Sequence, residues 1–254
     1  MAMRIIFIHI PKTGGSSFTN LLRDTFYPET TVLSHYIQKI DTPTATFDIR
    51  HIQFNHPDRV SMCGDIFNPQ CYEQYKQCQI YTIVRDPVDR IVSEFNFQKH
   101  ILGNGPKISR LQPIPRTLEE YIEHPLTWNY QVSFLLGGGI VTRDRITEDD
   151  YKRVMAAIEK YPIHLGVTDQ YDNFLNTFQH YSHIQLKSSV QILKKTSDEI
   201  KSQTVVTQPI IDKILKYNEW DHRLYQYAKR QVENDKRAED GKTWNWKWDG
   251  DFKY

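Results

Sequence analysis

Several features that would classify a chain quickly are scarce or missing in this one. Three cysteines in 254 residues, Cys63, Cys71 and Cys78, are too few and too widely spaced for a disulfide framework or a zinc knuckle. No apolar run approaches the ~20 residues that span a bilayer, and the first one, at residues 5–8, is followed by His9 and Lys12. These absences lead to the expectation of a soluble, cytoplasmic protein with reduced thiols and no membrane span. Neither charge dominates. Lys plus Arg number 32 against 31 for Asp plus Glu, so no global field points to nucleic acid, and any anion recognition must be local. There are no internal repeats, no low-complexity tracts, and no metal-ligand spacing among the histidines.

What is present is an ordinary globular composition, 39% hydrophobic and 25% charged, with enough aromatic residues (13%) to build a core. The length suits one domain over residues 1–254. Within it, Arg4-Ile-Ile-Phe-Ile-His-Ile-Pro-Lys12-Thr13-Gly14-Gly15-Ser16-Ser17-Phe18 reads as a buried strand entering a tight turn. The glycine pair frees the backbone to turn with its N–H groups inward, and Ser16 and Ser17 open a helix reaching about Arg23. Backbone donors, hydroxyls and the positive end of the helix dipole converge on one point, with the charge of Lys12 beside them. Such a turn binds anions.

A second strand-to-helix unit follows at Gln79-Ile-Tyr-Thr-Ile-Val84 and Arg85-Asp86-Pro87-Val-Asp89-Arg90-Ile-Val-Ser93. Asp86 suits the N-cap, Pro87 the first helical position and Asp89 the third, where a carboxylate favours the helix N-terminus. Helical patterning returns at 117–123, 127–136, 147–160, 168–181 and 207–234, with a strand at 163–167. Residues 25–62, broken by Pro28, Pro43 and Pro57, receive no elements. Residues 102–116, rich in glycine and proline, read as a mobile loop able to cover a site, and 235–254 as a C-terminal tail in which Trp244, Trp246 and Trp248 alternate like an edge strand. Strands alternating with helices predict an α/β fold, a P-loop-like three-layer sandwich with a central parallel sheet.

The lysine comes before the glycines, whereas a nucleoside-triphosphate P-loop places it after them. The second strand ends in Arg85 where a metal-binding acid would be needed. A kinase-like phosphotransferase is therefore disfavoured, and no metal is expected.

The pair Pro-Lys-Thr-Gly-Gly-Ser-Ser and Arg-Asp-Pro-x-x-Arg-x-x-Ser resembles the signature of the sulfotransferases that use 3′-phosphoadenosine 5′-phosphosulfate (PAPS) and release 3′,5′-ADP (PAP). The segments Asn129–Gly137, His164–Thr168, Leu193–Thr196 and Trp220–Ala228 extend the likeness to the branch of the heparan sulfate and uronyl 2-O-sulfotransferases. The resemblance implies transfer of a sulfuryl group to a hydroxyl, on a carbohydrate. It casts Lys12 as the catalytic electrophile at the bridging oxygen. Thr13, Gly14, Gly15, Ser16 and Ser17 would hold the 5′-phosphate, Arg85 and Ser93 the 3′-phosphate, and Lys195 and Thr196 would close over the nucleotide. Asn129 and Gln131 would help form the acceptor wall. The branch carries a Gly-His dipeptide before the second strand, but this chain has Gly64-Asp65. The general base is then Asp65 or a nearby histidine, His56 above all, and a turn role for Asp65 in a non-catalytic nucleotide-binding homologue stands as the alternative.

Overall fold

The computed structural model describes residues 4–26, 60–63, 78–104, 111, 115–136, 145–161, 163–186 and 204–239. Its centre is a four-stranded sheet of β1 (Arg4–Ile8), β2 (Val60–Cys63), β3 (Cys78–Val84) and β4 (Ile163–Val167), in the order β2-β1-β3-β4. All three pairings are parallel, with Ile8 opposite Thr82 and Val84 opposite Val167. β2 lies in the stretch to which the sequence assigns no elements. Four residues are too short a run to stand out from the surrounding prolines and histidines, and pairing with β1 supplies what the pattern lacks.

Helices cover both faces, as a parallel sheet requires. Along β3 the side chains alternate: Tyr81 and Ile83 join one buried cluster, Ile80 and Val84 another. The first cluster brings Phe7 of β1 against Phe18, Leu21 and Leu22 of α1 (Gly15–Phe26) and Phe174, Leu175 and Phe178 of α6 (Tyr171–Ser182). The opposite face packs on α4 (Tyr130–Leu135), α5 (Glu148–Lys160) and α8 (Glu219–Glu239). A third cluster joins α2 (Pro87–Asn104), α3 (Leu118–Glu123) and α7 (Gln208–Tyr217). The three-layer α/β sandwich expected from the sequence is the fold observed.

Element boundaries differ where long-range contacts set them. The helical pattern over 207–234 is divided at Asn218, whose Nδ2 donates to Ile214 O and whose Oδ1 accepts from Asn129 N. The 127–136 segment starts with a 3₁₀ turn at Pro125–Thr127, passes through Asn129 in the left-handed region and becomes helical only at Tyr130. α2 continues to Asn104 and Leu111 is fully buried, so part of the expected 102–116 loop is helix or core, and α8 carries the chain to Glu239. The tryptophans at 244–248 fall outside the described residues. Among those that are described, no helix is long and apolar enough to cross a membrane.

His164 on β4 gives the fold a pH dependence. Its ring stacks between Tyr81 and Tyr181, with centroids 4.8 and 4.4 Å away, and burial depresses its pKa from 6.5 to about 4. Between those values the unfolded chain binds the proton and the folded chain does not, so this contribution is complete above pH 6.5, declines as pH falls from 6.5 toward 4 and is gone below that. The wild type should lose about 2 kcal/mol from this group between pH 7.5 and pH 5. Urea unfolding at both values checks it: the slope should flatten by that amount in His164→Phe, which keeps a stacking ring, and an unchanged slope refutes the assignment.

Candidate active site

β1 and β3 are neighbours, yet the chain leaves them for opposite sides of the sheet, β1 toward β2 and β3 toward β4. In open parallel sheets the carboxyl ends on either side of such a reversal form a crevice, because the outgoing helices diverge. Both sequence motifs emerge there: the turn after β1 holds Lys12 to Ser17, and the residue after β3 is Arg85. Arg85 Nη1 donates to Lys12 O at 3.2 Å, which joins two segments 73 residues apart into one site.

The turn is built from unequal parts. Gly14 adopts φ +89°, a conformation that L side chains rarely enter, and Lys12 itself sits at φ 70°. A non-glycine residue held there costs of order 1–3 kcal/mol, so the strain is concentrated at the residue the sequence marks for chemistry. Gly15 is needed for a different reason: a Cβ there would lie 2.2 Å from His9 Cδ2, so only glycine lets the turn pass the imidazole. His9, half-buried, stacks on Phe7 with centroids 5.9 Å apart. Thr168, one residue past β4, donates through Oγ1 to Thr13 O at 2.8 Å and approaches Val84 O at 3.2 Å, tying the turn to the end of β3.

The Thr13 hydroxyl, expected at the anion, is turned into the protein. The side chain is fully buried and the hydroxyl donates to Ile10 O at 2.8 Å. A hydroxyl has one proton to give, so Thr13 can serve an anion only through its backbone. Ser16 is half-buried and Ser17 buried, both in the first turn of α1. Lys12 Nζ lies 4.0 Å from the ring centroid of Phe97, an exposed residue of α2 one turn beyond Ser93. Residues four apart share a helix face, so Lys12 reaches the face that carries Ser93. α2 begins as the sequence predicts, with Asp86 Oδ1 accepting from Val88 N and Asp89 N at 2.9 and 3.3 Å.

Burial pulls the pKa of Arg85 down, and Asp89, Asp86 and Asp169 oppose the shift. The guanidinium stays charged at any physiological pH. Its Nε is buried with no hydrogen-bond partner, an orphan donor of the kind a phosphate oxygen satisfies. The residues present therefore fit an anionic group held between the turn and Arg85.

The side-chain amides of Asn129 and Gln131, expected to face an acceptor, point into the protein instead. Both residues are buried. Gln131 Oε1 accepts from Arg85 N and its Nε2 donates to Arg85 O, each at 2.9 Å. Asn129 Oδ1 accepts from Trp220 N and Asp221 N at 2.9 and 3.2 Å, capping α8, and its Nδ2 donates to Tyr217 O at 3.0 Å. Asp221, wholly buried, accepts from Gln131 N and Val132 N at 3.0 and 2.9 Å, capping α4 in return. Burial raises the Asp221 pKa, while the Arg90 guanidinium and these N–H donors favour the ionised form. Asp65, His56, Lys195 and Thr196 lie outside the described residues. Sequence reasoning gave no role to Thr168 or Asp221. The only signal for them was their place within segments carrying the resemblance.

An α/β protein with an anion cradle at the carboxyl ends of two adjacent parallel strands is the class that fold and site define. Residues 2–130 match the model of the family described as the Sulfotransferase family. This chain belongs to that family, whose enzymes carry out PAPS-dependent sulfuryl transfer. No curated protein matches it. Solved structures similar to it include a sulfotransferase from Alicyclobacillus acidocaldarius, 12% identical over 89% of this chain and 96% of that one, with a TM-score of 0.45. Mouse sulfotransferase SULT7A1 complexed with PAP is 16% identical over 96% of this chain and 86% of that one, with a TM-score of 0.46.

Proposed function

We propose that this protein moves the sulfuryl group of PAPS to a hydroxyl of a carbohydrate acceptor by in-line displacement without a metal, in the manner of the 2-O-sulfotransferase-like branch. The observation that carries the reading is the bond from Arg85 Nη1 to Lys12 O, which makes one cleft of the two anion motifs. PAPS, when bound, supplies an activated sulfuryl group joined to phosphate through an anhydride oxygen. The backbone N–H groups of residues 13–17 and the N-terminus of α1 hold the 5′-phosphate, with Ser16 and Ser17 adding hydroxyls. Arg85 and Ser93 clasp the 3′-phosphate. Ser93 lies six residues after Pro87, about 9 Å along α2, so the two groups approach from the start and the body of one helix.

Lys12 places a full positive charge where negative charge develops on the leaving oxygen, the role a metal ion would otherwise fill. The hydroxyl of the acceptor needs a base to take its proton, and Asp65 is proposed for it, with His56 as the competing residue. Lys195 and Thr196 are proposed to close the nucleotide from the C-terminal side.

Calorimetry tests the reading. PAP should bind in the absence of divalent ions, and more tightly than ATP with Mg²⁺. Preference for the latter would sink the assignment in favour of a phosphotransferase. The acceptor class is tested separately, by transfer of labelled sulfate from PAPS to a panel of glycans and simple alcohols.

A further inference from the structure

The backbone of Arg85 lies just past the last residue of β3, where the ladder to β4 ends at Val84 opposite Val167. Its N–H and C=O would be left without a strand to pair with. Gln131 takes the strand's place. One side-chain amide, presenting a donor and an acceptor in one plane, binds both groups of the same residue at 2.9 Å. The contact links α4 to a residue 46 positions earlier, and the Gln131 side chain is wholly buried.

We propose that Gln131 is a positioning residue for recognition of the 3′-phosphate. By extending the ladder one rung it fixes the plane of the Arg85 peptide, and with it the direction in which the guanidinium leaves the sheet. The inference rests on the reading above, in which Arg85 meets that phosphate.

Gln131 is itself held from behind. Its backbone N–H is bound by Asp221, whose other oxygen takes Val132 N, and Asn129 at the head of α4 caps the first turn of α8 in exchange. Each helix therefore satisfies the unpaired N-terminal donors of the other, and neither can slide without breaking the caps. Arg90, 1% exposed, lies with its guanidinium 4.7 Å from the Tyr130 ring centroid and packs α2 onto this junction. The orientation of Arg85 is in this way referred to the junction of α4 with α8, rather than to the flexibility of a strand end. With the backbone set in this way and Nη1 bound to Lys12 O, the guanidinium needs less reordering when it meets its anion, which preserves affinity that ordering would consume.

The experiment compares PAP with 5′-AMP, which lacks the 3′-phosphate, on the full chain. Gln131→Met keeps the length of the side chain and removes both bonds. PAP affinity should fall about tenfold, the scale of one or two lost hydrogen bonds, while AMP affinity changes by less than about twofold. Gln131→Glu keeps an acceptor for Arg85 N but sets a second acceptor against Arg85 O. The same loss of discrimination is expected from it, and it decides the matter if the methionine variant fails to fold. Equal weakening of PAP and AMP would reduce Gln131 to a structural residue and overturn the proposal, as would unchanged PAP affinity in a folded variant. A wild-type protein that binds PAP and AMP alike would instead overturn the nucleotide reading, and the positioning role with it, before any variant is made.

Discussion

Replacing Lys12 with alanine should lower turnover by about 10²- to 10³-fold and leave PAP affinity within about fivefold of wild type. The asymmetry follows from when the charge matters. In the proposed ground-state complex the backbone donors of residues 13–17 and the α1 N-terminus would already hold the anion. In its proposed role Lys12 would meet the charge that appears as the anhydride bond breaks, so its loss would be felt in the transition state. The positive φ of Lys12 supplies a control. Alanine at φ 70° stays strained, whereas glycine does not, so Lys12→Gly should be about 1 kcal/mol more stable than Lys12→Ala by urea unfolding. Both should show the same loss of turnover. Single-turnover transfer of labelled sulfate together with PAP calorimetry measures the two effects. A Lys12→Ala protein that turns over normally, or one whose defect is entirely in binding, would remove the lysine from its proposed role.

Arg85→Ala should act in the opposite sense, weakening PAP by about 30- to 100-fold with AMP affinity within about threefold. A charge-assisted hydrogen bond to phosphate contributes about 1.5–3 kcal/mol, and in this variant the contact disappears with its donor. The bond from Arg85 Nη1 to Lys12 O is lost as well, so a modest effect on AMP through the turn is part of the expectation. Arg85→Lys should recover only part of the affinity, because an ammonium keeps the charge but not the planar fork. Competition calorimetry with the two nucleotides provides the measurement. Parallel losses for PAP and AMP would place the 3′-phosphate elsewhere.

Much of this site was legible in the sequence because its chemistry is local. The strand, the turn and the helix after it occupy one short stretch, and a glycine pair followed by two serines has a direct backbone meaning. The Asp86 cap and Pro87 needed no more than their own helix, and they are found as expected. The alternation of β3, buried on both faces, likewise states that helices must cover each side of the sheet.

Polar residues in the middle of the chain were less readable. Asn129 and Gln131 stand in a helical pattern with no indication of which direction their amides take, and the family resemblance alone suggested the acceptor. They turn inward because Arg85, Tyr217, Trp220 and Asp221 present backbone groups that burial would otherwise leave unpaired. The break at Asn218 has the same origin. Periodicity continues through it, and the residue leaves the helix where it bonds Asn129, 89 residues away, and turns its amide back on Ile214 O.

The sequence by itself determined the layered α/β class, the two strand-to-helix motifs and their order along the chain, since each follows from residues within a few positions of one another. The tertiary structure decided which hydroxyls and amides remain available to a ligand. It tied the Thr13 hydroxyl to Ile10, seated Lys12 in a strained backbone and bound Gln131 to the main chain of Arg85. The physical reason is that a buried polar group must find a partner, and its partner can come from any part of the chain that folding brings near.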